Sequence, residues 1–192
     1  MLNPDILYEA YCSGAFPMAD SGGRIEWYMV RQRALFPLSG IRVSRSLART
    51  LRRGKFLVTF DTAFEDVMLG CFRPGDNWLT EEFVAAYTDC HSEGWGHSCE
   101  VWVDDRLVGG VYGLAIGGCF SAESMFHRER DMSKVALWAL INKCRDLGFV
   151  LFDAQVMNPH LASLGAFEIN HKLFARQLKA ARTISTAWGR QL

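Results

Sequence analysis

The sequence lacks a long hydrophobic run, and this absence excludes a membrane-spanning helix. The longest apolar stretch, residues 107–120, has 14 residues and contains five glycines, whereas a helix needs about 20 apolar residues to cross a bilayer. The first residues lack a basic stretch followed by an apolar one, so we expect no signal peptide. These absences predict a cytoplasmic protein without a membrane partner, in which the apolar stretch belongs to the core.

Metal-binding and redox motifs are also missing. The chain has six cysteines and five histidines, but no two cysteines form a C-x-x-C pair and the histidines lack the spacing of metal ligands. We therefore expect no metal and no cofactor. Without a secretory signal, free buried thiols are favoured over disulfides. Because 49% of the residues are hydrophobic, a globular protein is expected rather than a disordered one.

The chain has no net charge, but its charges are segregated along the sequence. Residues 27–60 contain eight basic residues and no acid, whereas residues 61–105 contain eleven acids and a single base, Arg73. A neutral average that is built from opposed blocks indicates a localised site for a polyanion.

Hydrophobic periodicity and capping residues predict a mixture of helices and strands. We expect an α+β fold with a mixed sheet around an antiparallel hairpin. The predicted helices are 5–11, 44–53 (capped by Ser44, with Val43, Leu47 and Leu51 facing the core), one with a capping box at Thr62 and Glu65, one from Thr80, 133–146, one from Pro159, and 172–182. The predicted extended segments are 27–36, 55–60, the hairpin 98–112 with its turn at Asp104 and Asp105, 149–153 and 166–169. Turns are expected at Phe16-Pro17 and at 73–76.

Three polar side chains stand out next to apolar sequence. Asp153 ends an apolar strand, where α/β proteins place functional groups, and Gln155 lies two residues on and so on the same side. The residues alone equally allow Asp153 to cap the following turn. Glu123 lies among apolar residues and needs a cation if it is buried; Arg128 and Arg130 are the structural candidates.

A run of arginines follows one face of the helix predicted at 44–53, namely Arg45, Arg49, Arg52 and Arg53. A solvated helix face is the ordinary explanation, but no acid is interleaved to form i,i+4 pairs. Binding of a nucleic-acid backbone is therefore favoured. Trp27 and Tyr28 are candidates for stacking on a base, with core packing as the equal alternative.

Seven strings in order resemble the leucyl/phenylalanyl-tRNA–protein transferase family over about residues 5–174. They are Gly14-Ala-Phe-Pro-Met18, His97-Ser-Cys-Glu-Val-Trp102, Leu107-Val-Gly-Gly-Val-Tyr-Gly113, Ala122-Glu-Ser-Met-Phe126, Ser133-Lys134, Phe152-Asp-Ala-Gln155 and Ser163-Leu-Gly-Ala166. The resemblance implies a GNAT-like acyltransferase domain at 42–192 and a small N-terminal domain at 1–41. That domain is shortened, because family members often begin with an additional segment rich in Pro and Gly. The family's Trp-Trp-Ser-Pro string is Trp27-Tyr-Met-Val30 here.

The same resemblance implies an activity and a set of roles. The enzyme would transfer Leu, Phe or, through a tolerant pocket, Met from aminoacyl-tRNA to the α-amine of proteins with N-terminal Arg or Lys, which marks them for N-end-rule degradation. Asp153 and Gln155 would be catalytic, with the carboxylate polarising the glutamine, and Glu123 would bind the acceptor's cationic residue. Phe120, Met125, Leu137, Leu140 and Phe152 would line the donor pocket. Arg45, Arg49, Arg52, Arg53, Trp27 and Tyr28 would bind tRNA.

Two other functions remain open at this point. One is an acetyl-CoA-dependent N-acetyltransferase, but the glycines in residues 106–111 fall in a predicted hairpin rather than in a pyrophosphate loop before a helix. The other is a non-catalytic tRNA-binding module. The presence of Glu123, Asp153 and Gln155 argues against it.

Overall fold

The computed structural model of the chain describes residues 2–19, 24–72 and 80–191. Its elements are, in chain order, α1 (Pro4–Ser13), β1 (Phe16–Ala19), β2 (Ile25–Tyr28), β3 (Gln32–Phe36), α2 (Arg45–Arg53), β4 (Leu57–Phe60), α3 (Phe64–Gly70), α4 (Glu81–Ser92), β5 (Gly96–Val103), β6 (Arg106–Ile116), β7 (Cys119–His127), α5 (Met132–Asp146), β8 (Leu151–Gln155), α6 (Pro159–Ser163), β9 (Phe167–Asn170) and α7 (His171–Ala181).

A seven-stranded sheet in the order β4-β5-β6-β7-β8-β3-β9 organises the fold. Every neighbouring pair in it is antiparallel except β7 and β8, which run parallel and are connected through α5. This arrangement confirms the predicted α+β class with a mixed, largely antiparallel sheet. A separate two-stranded sheet pairs β1 with β2.

The expected domain boundary between residues 41 and 42 stays a prediction. Strand β3, which precedes that boundary, belongs to the seven-stranded sheet and pairs with both β8 and β9. The N-terminal residues are thus tied to the strand that carries Asp153 and Gln155.

Strand β6, in the interior of the sheet, confirms that the long apolar stretch is core, because its residues from Leu107 to Ile116 are all buried. Its glycines allow helices to pack closely against the sheet: a Cβ atom on Gly109 would lie 2.6 Å from Cβ of Met132 in α5, and one on Gly110 would lie 2.9 Å from Val67 in α3. These glycines therefore serve packing inside a strand. They do not form a phosphate-binding loop.

Local signals placed most helices correctly. The Ser44 hydroxyl accepts a hydrogen bond from the amide of Leu47, and α2 ends at Gly54 with a φ of 59°, as capping predicts. Leu47 is fully buried, but Val43 is exposed, so its predicted core position is wrong. The hairpin turn at Asp104 and Asp105 is confirmed, with both residues at positive φ.

Two local predictions are wrong for identifiable reasons. Helix α3 exists but begins at Phe64, so that Ala63 rather than Thr62 occupies the N-cap position and no side chain caps the helix; the Thr62 hydroxyl donates to the buried carboxylate of Glu100. Phe16 and Pro17 form strand β1 rather than a turn, since they pair with Tyr28 and Trp27. The turn predicted at 73–76 lies outside the described residues.

The cysteines are free thiols, five of them buried. Within the described ranges, the structure has no helix that is long and apolar enough to cross a membrane.

Candidate active site

A cavity of about 890 Å³ opens beside the end of the parallel strand pair β7 and β8. Its walls come from β1, β7, α5 and the chain that leads from β8 into α6, with one residue each from β3 and β6. They combine apolar side chains with a few polar groups, which is typical of a small-molecule site. The lining residues are Phe16, Pro17, Met18, Phe36, Val111, Ala122, Glu123, Ser124, Met125, His127, Ser133, Leu137, Ala154, Gln155, Val156, Asn158, Pro159, His160 and Leu161.

Glu123 lies in the wall of this cavity and is held by three side chains. Its Oε1 atom accepts hydrogen bonds from the Tyr11 hydroxyl at 2.6 Å and from Nε2 of Gln155 at 3.0 Å. The Tyr87 hydroxyl lies 3.4 Å from Oε2 and 2.7 Å from the Tyr11 hydroxyl. Burial raises the pKa of Glu123 to about 7, although the hydrogen bonds from Tyr11 and Gln155 oppose this increase.

The arginines next to Glu123 in sequence do not pair with it. The Arg128 guanidinium donates to the carbonyl of Leu107 and covers the Phe126 ring, and Arg130 lies near Asp131. The structure therefore shows no ion pair between Glu123 and either Arg128 or Arg130. Its carboxylate faces the cavity without a basic partner among the residues described.

Gln155 ends β8 in an unusual backbone conformation. Its φ of 61° places it in the left-handed region, at a point where the pairing of β3 with β8 shifts register. Because Nε2 donates to Glu123, the direction of the side-chain amide is set. The carbonyl oxygen remains available to accept a hydrogen bond from a molecule in the cavity.

Asp153 lies one layer behind the cavity and is fully buried. Its Oδ1 and Oδ2 atoms accept from Nε and Nη2 of Arg33 at 2.8 and 2.6 Å, while the Ser121 hydroxyl and the backbone amide of Gln155 supply two more bonds. The expected direct contact between this carboxylate and the Gln155 side chain is absent. The bond from the Gln155 amide is the turn cap that the sequence allowed as an alternative to a catalytic role for Asp153.

The five residues expected to form the donor pocket divide into two groups. Met125 and Leu137 line the cavity. Phe120, Leu140 and Phe152 are not among the lining residues and are buried in the main core, to which Leu137 also belongs; the Phe120 and Phe152 rings stack there with centroids 5.4 Å apart. The place of these three residues in the donor pocket stays a prediction. A hydrophobic pattern identifies the buried face but does not separate residues that border a cavity from those that pack behind it.

The expected tRNA-binding residues are exposed. Arg45, Arg49, Arg52 and Arg53 all lie on the solvent side of α2, and the structure shows no salt bridge to any of them from the part of the chain it describes. Trp27 is 42% exposed and pairs across the small sheet with Pro17, which lines the cavity. Tyr28 is also exposed, and its ring stacks on Phe16.

Sequence reasoning missed Tyr11, Tyr87, Ser121 and Arg33. Arg33 carried a usable signal, because it precedes the apolar residues Ala34, Leu35 and Phe36 in a strand, and a cation in such a position needs a buried partner. The tyrosines carried none, since hydroxyl contacts between distant segments leave no local pattern.

Comparison with known proteins decides the family. Residues 35–179 match the family model described as leucyl/phenylalanyl-tRNA protein transferase, and residues 1–31 match the model of that family's N-terminal domain. The chain belongs to the leucyl/phenylalanyl-tRNA–protein transferase family. Proteins of this family use aminoacyl-tRNA as a substrate.

Several transferases of this family align with nearly the whole length of this chain. The protein of that name from Chlorobium luteolum is 45% identical over 193 residues, which is 98% of this chain and 100% of the relative. The one from Ruegeria sp. is 44% identical over 182 residues, with 94% and 87% of the two chains covered. The one from Novosphingobium aromaticivorans is 47% identical over 185 residues, with 93% and 70% covered.

Similarity to solved structures is weaker. A GCN5-related N-acetyltransferase-like protein from Streptococcus suis aligns with a TM-score of 0.40 and 17% identity, covering 86% of this chain and 64% of the other. The GNAT-like domain stays what the resemblance to the transferase family implies. Among the described residues, no three His, Cys, Asp or Glu side chains are grouped so that they could hold a metal ion.

Proposed function

We propose that this chain transfers leucine or phenylalanine from aminoacyl-tRNA to the α-amine of proteins that begin with Arg or Lys, which marks them for N-end-rule degradation. One observation carries the proposal beyond family membership. Glu123 and Gln155 are joined by a 3.0 Å hydrogen bond in the wall of a cavity that Met125 and Leu137 also line. A single cavity can therefore receive both reacting groups.

Aminoacyl transfer from an ester to an amine requires few catalytic groups from the protein. An aminoacyl ester is already activated, so no covalent nucleophile is needed, and holding the amine against the carbonyl supplies much of the acceleration. The α-amine titrates near about 7.7–8.0, so a neutral fraction is present near neutral pH. The amine forms the new C–N bond, the ester C–O bond breaks, and the tRNA hydroxyl leaves with a proton.

Gln155 is the residue best placed to orient the amine. Its Nε2 atom is engaged by Glu123, which leaves the carbonyl oxygen to accept a hydrogen bond from the attacking N–H. An amide is too weak a base to keep the proton. We therefore assign to Gln155 the orientation of the attacking amine. The proton that the amine loses passes through water to the leaving oxygen of the tRNA.

Glu123 provides the selectivity for the acceptor. Its carboxylate has hydroxyl and amide donors but no basic partner among the described residues, so the guanidinium or ammonium group of an incoming N-terminal residue would complete the site. A charge-assisted hydrogen bond in a partly buried position is stronger than a neutral one. This favours Arg and Lys over uncharged residues.

The donor amino acid and its tRNA would occupy the rest of the site. Met125 and Leu137 offer an apolar wall to the side chain of the ester, and such a surface distinguishes single methylene groups by only about 1–3 kcal/mol. Leu, Phe and Met should therefore all be accepted. The exposed Trp27 can stack on the terminal adenosine, and the α2 arginines can contact the phosphate backbone of the tRNA.

One assay tests the proposal. Purified protein is mixed with radiolabelled leucyl-tRNA and with peptides that begin with Arg, Lys or Ala but are otherwise identical. We expect label in the first two peptides only. Label in all three would remove the role of Glu123, and label in none would reject the activity.

The acetyl-CoA alternative finds no support in the geometry. Gly109 and Gly110 lie in the middle of β6, with α5 and α3 packed directly against them. A pyrophosphate group could not reach their amides. Protection from thermal unfolding by coenzyme A would reopen this possibility.

A further inference from the structure

Arg33 is buried behind the candidate active site and does not itself line the cavity. The guanidinium donates to both oxygens of Asp153 and, through Nη1, to the carbonyl of Gly14 at 3.0 Å. Its flat faces are covered by the rings of Phe16 and Phe174, with centroids 4.8 and 4.5 Å from Cζ. An arginine that is 2% exposed and paired with a fully buried carboxylate is a rare arrangement.

Asp153 cannot act on a substrate directly in this arrangement. Both of its oxygens are engaged by four donors, and the side chain has no exposure. The carboxylate therefore acts through a residue that it contacts. Among its partners Arg33, Ser121 and Gln155, only Gln155 lines the cavity.

The contact between Asp153 and Gln155 fixes a costly backbone conformation. Gln155 has a φ of 61°, which residues other than glycine adopt only when the surroundings enforce it. The 2.9 Å hydrogen bond from the Gln155 amide to Oδ1 of Asp153 closes this turn. If that carboxylate rotated, the turn would relax and the side-chain amide would leave Glu123.

We propose that Arg33 is a positioning residue for aminoacyl transfer: it clamps the Asp153 carboxylate, which holds the backbone of Gln155 so that its side chain meets the acceptor amine. This inference rests on the proposed function. A lysine would keep the charge, but it cannot supply two parallel hydrogen bonds and a third in the same plane. The clamp thus requires a guanidinium.

Arg33→Lys is the variant that tests the proposal, because it keeps the buried charge pair. We expect kcat for transfer to an Arg peptide to fall at least tenfold, while KM for the peptide and for leucyl-tRNA changes less than twofold. The same substitution in a Gln155→Ala background should lower kcat less than twofold, because Arg33 acts through Gln155. Equal losses in both backgrounds, or an unchanged kcat in the single variant, would overturn the proposal.

A second variant covers the case in which Arg33→Lys does not fold. Phe174→Leu removes one ring from the guanidinium and keeps an apolar side chain, so kcat should fall about two- to fivefold. Leu178→Val is the matched control, because Leu178 lies one turn further along α7 in the same small core cluster; its kcat should equal that of the wild type. Equal kcat values for the two variants would contradict the clamp.

A structural measurement separates this inference from the proposed function. Crystal structures of the wild type and of Arg33→Lys should differ at Gln155, whose φ should leave the left-handed region in the variant. If the wild type transfers no leucine, the proposed function fails, but this comparison still decides the clamp. A Gln155 backbone that is the same in both structures refutes it.

Discussion

The side-chain amide of Gln155 donates a 3.0 Å hydrogen bond to Oε1 of Glu123. The two residues come from strands β8 and β7, the parallel pair of an otherwise antiparallel sheet. The group that we assign to the attacking amine thus lies beside the group that we assign to the acceptor's cationic side chain.

Charge reversal at Glu123 should change which acceptors are used. In Glu123→Lys, an incoming Arg or Lys side chain would meet a like charge, so transfer to Arg peptides should fall at least a hundredfold, equivalent to about 2.7 kcal/mol. Glu129→Lys is the control, since Glu129 pairs with Arg106 at the surface and does not line the cavity. Competition between Arg and Ala peptides measures the preference, and an unaltered preference in Glu123→Lys would remove the assigned role.

Acceptor binding should depend on pH in a defined direction. The pKa of Glu123 is raised to about 7, so the carboxylate is protonated below that pH and ionised above it. The KM for an Arg peptide should therefore decrease as the pH rises through about 7. In Glu123→Gln this change should disappear, and a pH dependence that survives the substitution would assign the titration to another group.

The same shift has a consequence for folding stability. A carboxyl group whose pKa is higher in the folded state retains its proton there, so its contribution to stability is lost as the pH rises through the folded pKa. Between about pH 4.5 and 7 the stability of the wild type should decline relative to that of Glu123→Gln. Thermal unfolding of both proteins across this range checks the sign; a wild type that gains stability relative to the variant contradicts it.

Donor choice should depend on the residues that border the cavity and not on those behind it. Leu137→Trp would fill part of the space between Leu137 and Met125, so transfer of Phe should fall more than transfer of Leu. Leu140→Ala should leave the Leu-to-Phe ratio unchanged and lower the free energy of unfolding by about 2–5 kcal/mol. A changed donor ratio in Leu140→Ala would show that the division between cavity and core is wrong.

The sequence predicted helix α2 and the β5–β6 hairpin turn because the signals for both are local. Ser44 and Gly54 mark the two ends of α2, and Asp104 with Asp105 marks the hairpin turn, since caps and turns depend on neighbouring residues. Asp153 was identifiable as a polar residue in an apolar strand, but the predicted strand end was wrong, because β8 continues past Asp153 to Gln155. The spacing of two did not predict how Asp153 contacts Gln155, because the hydrogen bond comes from the backbone amide of Gln155 while its side chain donates to Glu123.

The remaining parts of the site depend on contacts between distant segments. Arg33 and Asp153 are 120 residues apart in the chain, and Tyr11 meets Glu123 across 112. The periodicity of hydrophobic residues in the sequence does not reveal pairs of residues that are so far apart. For the same reason the pattern could not show which apolar residues, such as Met125 and Leu137, also border the cavity, because cavity and core lie on the same apolar face of the elements.

The arginines of α2 should contribute to tRNA binding through charge alone. Replacing Arg49 and Arg53 by Gln should reduce the slope of log K against log salt by about 1.4–1.8, since each phosphate contact contributes about 0.7–0.9. Arg145→Gln with Arg106→Gln is the control pair, because both residues are exposed and already paired with acids. If the slope for leucyl-tRNA is the same in all three proteins, α2 is only a solvated surface.

The most direct measurement is a crystal structure with the product dipeptide Leu-Arg bound. We predict that the guanidinium lies within about 3 Å of the Glu123 carboxylate, a hydrogen-bonding distance, that the peptide nitrogen faces the Gln155 carbonyl oxygen, and that the leucine side chain contacts Met125 and Leu137. A dipeptide that touches Glu123 but leaves Gln155 free, or that binds outside this cavity, would contradict it.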